Sequence, residues 1–132
     1  MAEIKISDLS IGDWVAIDGV PSKVMSIDIA TGLLRVSGKG NPVGMGIVEP
    51  IPLTAEILEK NGFRKCGRCC TSRTTAYIKD FTFVNLLEER KVWRVKIYGE
   101  EGLVELCSIL VHHTHQLQHV LRLAGVGKEI EV

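Results

Sequence analysis

Short apolar runs separated by tight turns fill the first fifty residues, and this spacing constrains the fold more than any other feature. The runs Trp14 to Ile17 and Leu33 to Val36 alternate with the turn signals Asp18-Gly19 and Thr31-Gly32. Several short strands at close spacing, joined by tight turns, are typical of a small β-barrel. Residues 1–50 are therefore predicted to form a β lobe.

Two further strands complete the predicted lobe, at Lys23 to Asp28 and at Met45 to Val48. The glycine-rich stretch from Ser37 to Pro42 predicts a loop between strands. Alternation along the strands places a set of large apolar residues in the core of this lobe. These residues are Trp14, Val15, Ile17, Val24 and Ile27.

Residues 51–132 predict an antiparallel sheet with two helices, so the expected fold class is α+β and mainly β. A short helix over about 54–61 begins at Thr54, a favourable N-cap, and ends at Asn61-Gly62. A second helix over about 115–124 carries an apolar stripe at helical spacing. The stripe consists of Leu117, Val120, Leu121 and Ala124.

Four predicted strands form the sheet, at Thr74 to Ile78, Phe81 to Leu87, Val92 to Tyr98 and Leu103 to Val111. The connections between them are short enough for an antiparallel meander. The core predicted for this half consists of Ile57, Leu58, Phe63, Phe83, Val95, Ile97, Leu106, Leu117, Val120 and Leu121. We expect both helices to pack on the sheet.

Residues 7–28 resemble the N-terminal domain of the hypusine-containing translation factor and of its bacterial relative, elongation factor P. The resemblance implies an SH3-like barrel for residues 1–50. That family presents a modified lysine on a loop between strands. Here the loop-like segment Gly38-Lys39-Gly40-Asn41 follows an extra strand. The resemblance therefore implies the barrel for this chain and does not imply a modified lysine.

A second resemblance covers three ordered motifs, which begin at Ile11, Glu49 and His115. They read Ile-Gly-Asp-Trp-Val, Glu-Pro-Ile-Pro-Leu-Thr-Ala-Glu-Ile-Leu-Glu-Lys-Asn-Gly-Phe and His-Gln-Leu-Gln-His-Val-Leu-Arg-Leu-Ala-Gly. The chain resembles a family of small proteins carried by phages and mobile elements of gut bacteria. The resemblance implies a mobile-element origin and no particular activity.

Three of the four cysteines lie within five residues, in the segment Cys66-Gly67-Arg68-Cys69-Cys70. Two thiolates at CxxC spacing can bind one zinc ion, which needs two further ligands. Cys70 is adjacent, and His115 and His119 share a helix face at i, i+4 spacing. That face lies opposite the apolar stripe, so both histidines are expected to face solvent. A zinc site, a redox cysteine pair and a loop of free thiols are the alternatives.

Basic residues are concentrated around these cysteines, although the net charge of the chain is zero. Between Glu59 and Asp80 there is no acidic residue. The window contains six cations, Lys60, Arg64, Lys65, Arg68, Arg73 and Lys79. These cations could bind phosphates, with Tyr77 or Phe81 stacking on bases, or they could form a solvated hairpin rim.

No nucleophile elbow, phosphate loop or metalloprotease motif occurs in the sequence, and Asp13, Asp18 and Asp28 fall in turns. We therefore expect a non-catalytic interaction module that binds a protein partner, with nucleic acid as the alternative partner.

Met1 to Ser10 lacks the apolar segment of a secretory signal, and no run is long enough for a membrane span. The expected location is the cytoplasm, with reduced thiols. An exposed sheet edge would allow a homo-oligomer.

Overall fold

The computed structural model describes residues 4–67, 74–87, 90–99, 104–125 and 129–132. These residues form two antiparallel sheets of five strands each, together with two α-helices. The chain divides into two compact units. The first unit comprises Met1–Pro52, His113–His115 and Val132, and the second comprises Leu53–His112 and Gln116–Glu131. The predicted mainly β, α+β class is confirmed.

The sheet of the first unit has the strand order β4-β3-β2-β1-β5. Its strands are β1 (Trp14–Ile17), β2 (Val20–Asp28), β3 (Leu33–Val36), β4 (Val43–Gly44) and β5 (Val48–Pro50). The turn between β1 and β2 has left-handed backbone angles at both central residues, with φ of 50° at Asp18 and 77° at Gly19. This is the type of turn that the Asp-Gly pair predicts for a hairpin. The predicted strands at residues 14–17 and 33–36 are confirmed.

The predicted fourth strand, Met45 to Val48, is wrong. Met45–Ile47 forms a 3-10 turn that separates β4 from β5. Gly46, in the middle of this turn, has no side chain to pack in a strand. The turn allows β5 to pair antiparallel with β1, at the opposite edge of the sheet from β4.

The core of the first unit lies on one face of its strands. Val15 and Ile17 of β1 are buried, whereas Trp14 is half-buried and belongs to the opposite side of the strand. Trp14 was predicted in the core, and the register corrects this. It lies opposite Lys23 on β2, and the Lys23 ammonium is 6.0 Å from the centre of its ring. Ile27 is only partly buried against the core.

The first helix, α1 (Ala55–Lys60), has the predicted ends. The Thr54 hydroxyl accepts a hydrogen bond of 3.3 Å from the Ile57 amide. At the other end, the Phe63 amide donates to the Leu58 carbonyl, and the Gly62 amide donates to the Glu59 carbonyl. This is the bonding pattern of a Schellman ending, for which Gly62 adopts a φ of 89°.

The sheet of the second unit has the strand order β10-β9-β8-β7-β6 and is antiparallel throughout. Its strands are β6 (Arg64–Lys65), β7 (Thr74–Lys79), β8 (Thr82–Leu87), β9 (Val92–Gly99) and β10 (Val104–Val111). The predicted meander of four strands is therefore present, and the unpredicted two-residue β6 pairs with β7. Leu103, the predicted start of the last strand, lies outside the described residues.

One face of this sheet, the inner face, is buried. On β9 it carries Trp93, Val95 and Ile97, all at most 6% exposed. The Trp93 indole N–H donates a 3.0 Å hydrogen bond to the Leu53 carbonyl, so this buried ring has a partner. Two predicted core residues lie elsewhere. Phe83 is on the opposite face because Val84 faces inward, and Leu106 is 56% exposed where the pairing of β10 is bulged.

The second helix, α2 (Thr114–Leu123), begins one residue before its predicted start. Leu117, Val120 and Leu121 of the predicted stripe are buried. Gly125 follows the helix with a φ of 76°. Neither α1 nor α2 is long and apolar enough to cross a bilayer, and the same holds for every helix in the described part of the chain.

Candidate functional site

The basic residues of the Lys60–Lys79 window do not form one patch where the structure describes them. Arg64 and Lys65 are exposed neighbours on β6, and adjacent residues of a strand point to opposite faces. The Lys79 ammonium donates a 2.7 Å hydrogen bond to the Asn61 carbonyl. Lys79 is thus engaged at the end of α1. Arg68 and Arg73 lie outside the described residues.

The two aromatic residues proposed to stack on bases differ in exposure. Tyr77 is 6% exposed and packs against Trp93, with ring centres 5.9 Å apart. It therefore belongs to the core of the second unit, and the prediction that it stacks on nucleic acid is wrong. Phe81 is 48% exposed in the turn between β7 and β8.

The predicted metal ligands also separate into different environments. Cys66 is disulfide-bonded. Zinc binds cysteine as a thiolate, so the disulfide sulfur of Cys66 does not serve as a zinc ligand. The expectation that every cysteine is a reduced thiol is wrong for Cys66, whereas Cys107 is a free thiol. Cys69 and Cys70 lie outside the described residues.

The histidine face is not the solvated face that the sequence predicted. His115 is 4% exposed, and His119 is half-buried. The first two residues of α2, Thr114 and His115, belong to the first unit, where the Thr114 amide donates to the Ile51 carbonyl. The His113 and His115 rings stack with centres 5.8 Å apart and planes 8° from parallel. Among the described residues, no three His, Cys, Asp or Glu side chains are grouped to hold a metal ion.

Two carboxylates of the first unit, those of Asp13 and Asp28, accept hydrogen bonds from backbone amides in turns. The Asp13 carboxylate is buried and accepts a 2.8 Å hydrogen bond from the Ser10 amide. The Asp28 carboxylate accepts hydrogen bonds from the Ala30 and Thr31 amides. Carboxylates that accept backbone N–H groups in this way stabilise tight turns. These contacts give both side chains a structural role.

An apolar groove of about 410 Å³ lies between β10 and α2. It is lined by three residues of β10 and by Val120, Leu123 and Ala124 from the end of the helix. The β10 residues are Leu106, Cys107 and Ile109. Sequence reasoning did not find this site because it placed Leu106 in the core, although the length and apolar character of the last strand were visible.

Three polar side chains fasten the C-terminal residues, and the sequence pattern did not predict this role for them. The Asn61 amide group donates to the Glu131 carbonyl and accepts from the Glu131 amide. The Gln118 carbonyl oxygen accepts from the Ile130 amide, and Arg122 forms a 2.8 Å salt bridge with Glu129. Residues 129–131 are therefore held along the second unit.

Comparisons with protein-family models, curated proteins and solved structures gave no match to this chain. The candidate functional site is the groove together with β10, which is an edge strand of its sheet in the described part of the chain.

Proposed function

We propose that this protein is a non-catalytic interaction module that binds a protein partner, which adds an extended segment along β10. The observation that carries this proposal is the position of β10 in the sheet that the described residues form, where β10 is an edge strand with β9 as its neighbour. An edge strand presents backbone N–H and C=O groups that an extended segment can pair with. β10 has eight residues, which is long for an edge strand.

The side chains of β10 favour this use. Leu106, Ile109 and Leu110 are 40–56% exposed, and Glu105 is the one charged residue in the strand. Proteins usually protect an edge strand with lysine, proline or a short length. β10 has none of these three devices, and its protection is limited to the charge of Glu105 and a bulge in its pairing between Glu105 and Cys107. The regular part, Cys107 to Val111, is therefore the segment that we expect to pair.

The groove beside β10 specifies the chemistry of the partner. Its walls are mostly apolar, and Leu123 at its rim is 90% exposed. A strand added to β10 would direct every second side chain toward the groove, because successive side chains point to opposite faces. The partner segment should therefore be extended and should carry large apolar residues at alternate positions.

The remaining features of the module are proposals as well. The antiparallel sheet of the first unit, with its buried cluster around Val15, Val24 and Leu34, is consistent with an SH3-like small barrel. Three ordered motifs support an origin in phages or mobile elements. A cytoplasmic location is part of this proposal, and it requires that the Cys66 disulfide persist or be reversible in a reducing compartment.

Selection from a displayed library of random peptides tests the partner proposal. The native chain should enrich peptides with alternating apolar residues, and binding should weaken at least tenfold in Ile109→Lys. A matched control is Ile29→Lys, because Ile29 is also exposed, at 78%, but lies in the first unit. Binding should also shift the NMR signals of the Cys107 to Val111 amides.

Two results would overturn the proposal. One is a library that yields no such peptide, or peptides that bind the native chain and Ile109→Lys equally. The other is a concentration-dependent dimer in sedimentation that Ile109→Lys dissociates, because β10 would then pair with a second copy of this chain. A circular dichroism spectrum of each variant confirms that it is folded.

A further inference from the structure

The second sheet has an outer face, opposite the buried inner face. Side chains on β9 alternate between the two, so Arg94, Lys96 and Tyr98 share the outer face. None of these three is buried. Residues paired across neighbouring strands share a face, which assigns Phe83 to the outer face through its pairing with Lys96.

The register aligns the outer-face residues in rows across the sheet. The central row is Ser108, Lys96, Phe83, Ile78 and Arg64, from β10 to β6. With strands about 4.8 Å apart, Lys96 and Arg64 are about 14 Å from one another along this row. Arg94 lies in the next row and donates a 3.1 Å hydrogen bond to the Ser108 hydroxyl. The Tyr98 ring meets the Phe83 ring edge to face, with centres 5.5 Å apart.

On its described strands this face carries more positive than negative charge, although the whole chain is neutral. It contains the cations Arg64, Arg94 and Lys96 on the described strands. The acidic residue on the same strands and face is Glu105, which pairs with Tyr98 near the end of β10. No carboxylate lies within ion-pair distance of the three cations in the described part of the chain. The outer face therefore combines an aromatic pair with cations that are available to a ligand.

We propose that the outer face binds single-stranded nucleic acid. A base can stack on the Phe83–Tyr98 pair, because every base presents a π-face and stacking tolerates any sequence. Lys96 lies in the row of Phe83, Arg94 lies in the next row, and Arg64 lies two strands from Phe83. These cations can contact the phosphates of a strand whose base stacks on the pair. A sheet face suits a single strand, whose bases can turn toward the protein, better than it suits a duplex, whose bases are stacked inside. This site differs from the Lys60–Lys79 window, with which it shares Arg64.

Fluorescence anisotropy with a labelled twelve-nucleotide single strand tests this proposal at 50 mM and 200 mM salt. Each phosphate neutralised contributes about −0.7 to the slope of log affinity against log salt, so three cations predict about −2. The native chain should lose roughly 20-fold in affinity over this range, and Lys96→Ala or Arg94→Ala should lose only about 7-fold. Arg35→Ala is the matched control, because Arg35 is an exposed cation in the first unit.

Replacing a residue of the aromatic pair should change binding in a different way from replacing a cation. Phe83→Ala should weaken binding about 5- to 150-fold at both salt concentrations and leave the salt slope unchanged. A general loss of structure would not leave the slope unchanged, and the thermal melting curve of the variant provides a second check. A duplex of the same sequence should bind more weakly than the single strand.

Several outcomes would overturn the proposal: no binding at 50 mM salt, a slope that Lys96→Ala does not change, or equal losses in Lys96→Ala and Arg35→Ala. If Lys96→Ala instead abolished peptide binding, the outer face would be part of the protein interface and the nucleic-acid proposal would fail. Ile109→Lys separates the two sites, since it should weaken peptide binding at least tenfold and leave the affinity for the single strand unchanged.

Discussion

Replacing Asn61 with alanine should detach the C-terminal residues from the second unit. The Asn61 side chain forms three hydrogen bonds of 2.7–2.8 Å, one to the Ile57 carbonyl and two to the backbone of Glu131. The bond to Ile57 is partly buried, and the two to Glu131 are exposed. A partly buried bond contributes about 1 kcal/mol and an exposed one about 0.5 kcal/mol, so Asn61→Ala should cost about 2 kcal/mol.

Urea denaturation measures this loss, with Trp93 as the reporter because it is buried in the second unit. The experiment uses a Trp14→Phe background, since Trp14 belongs to the first unit and would add its own signal. The midpoint should fall by on the order of 1.5 M. Asn41→Ala, an exposed residue of the first unit, is the control and should leave the midpoint unchanged.

Amide hydrogen exchange then locates the effect. In Asn61→Ala the Glu131 amide should exchange faster, because it loses its acceptor. The Ile130 amide should keep more of its protection, because it donates to Gln118. A loss below about 0.5 kcal/mol, with unchanged exchange at Glu131, would refute the role of Asn61 in fastening the C-terminal residues.

Three further predictions concern the backbone, the register and the disulfide. Gly62→Ala should cost about 1–2 kcal/mol in urea denaturation, because Gly62 has a φ of 89°, and a neutral effect would contradict the Schellman ending. Val84→Ala should cost about 2 kcal/mol, more than Phe83→Ala despite the smaller side chain, because Val84 is 0% exposed and Phe83 lies on the outer face. The reverse order of the two losses would mean that β8 is shifted by one residue. Mass spectrometry after iodoacetamide treatment in denaturant should find Cys66 unlabelled without reductant and labelled with it, and labelling in both conditions would exclude the disulfide.

The sequence predicted the elements whose cause is local. Thr54 and Gly62 define the ends of α1 through contacts within a few residues, so spacing alone was sufficient. The turn at Asp18-Gly19 was predictable for the same reason, since the backbone angles that it needs favour this pair. Local chemistry could not distinguish a strand from the 3-10 turn at Met45–Ile47, because apolar residues occur in both, and Met45 is partly buried against the core.

The sequence did not predict the features that depend on pairing between distant strands. In β8 both sets of alternate positions contain large apolar residues, so periodicity could not decide whether Phe83 or Val84 faces the core. The register with β9 decides it. Likewise, helical periodicity placed His115 opposite the apolar stripe, but His115 belongs to the first unit and is buried. The groove could not be predicted because it depends on where α2 lies against β10.

The two proposed surfaces share one strand, which makes them physically dependent on one another. Ser108 and Leu110 belong to β10, and their side chains lie on the outer face beside Lys96 and Arg94. A partner segment paired along β10 would become the next strand of the sheet and would extend each outer-face row by one residue. In the row of Arg94, an acidic residue of the partner segment would compete with phosphate for the Arg94 guanidinium, whereas a basic residue would extend the positive face. The sign of the coupling between protein and nucleic-acid binding therefore depends on the charge of the partner segment, and the coupling must be equal in both directions.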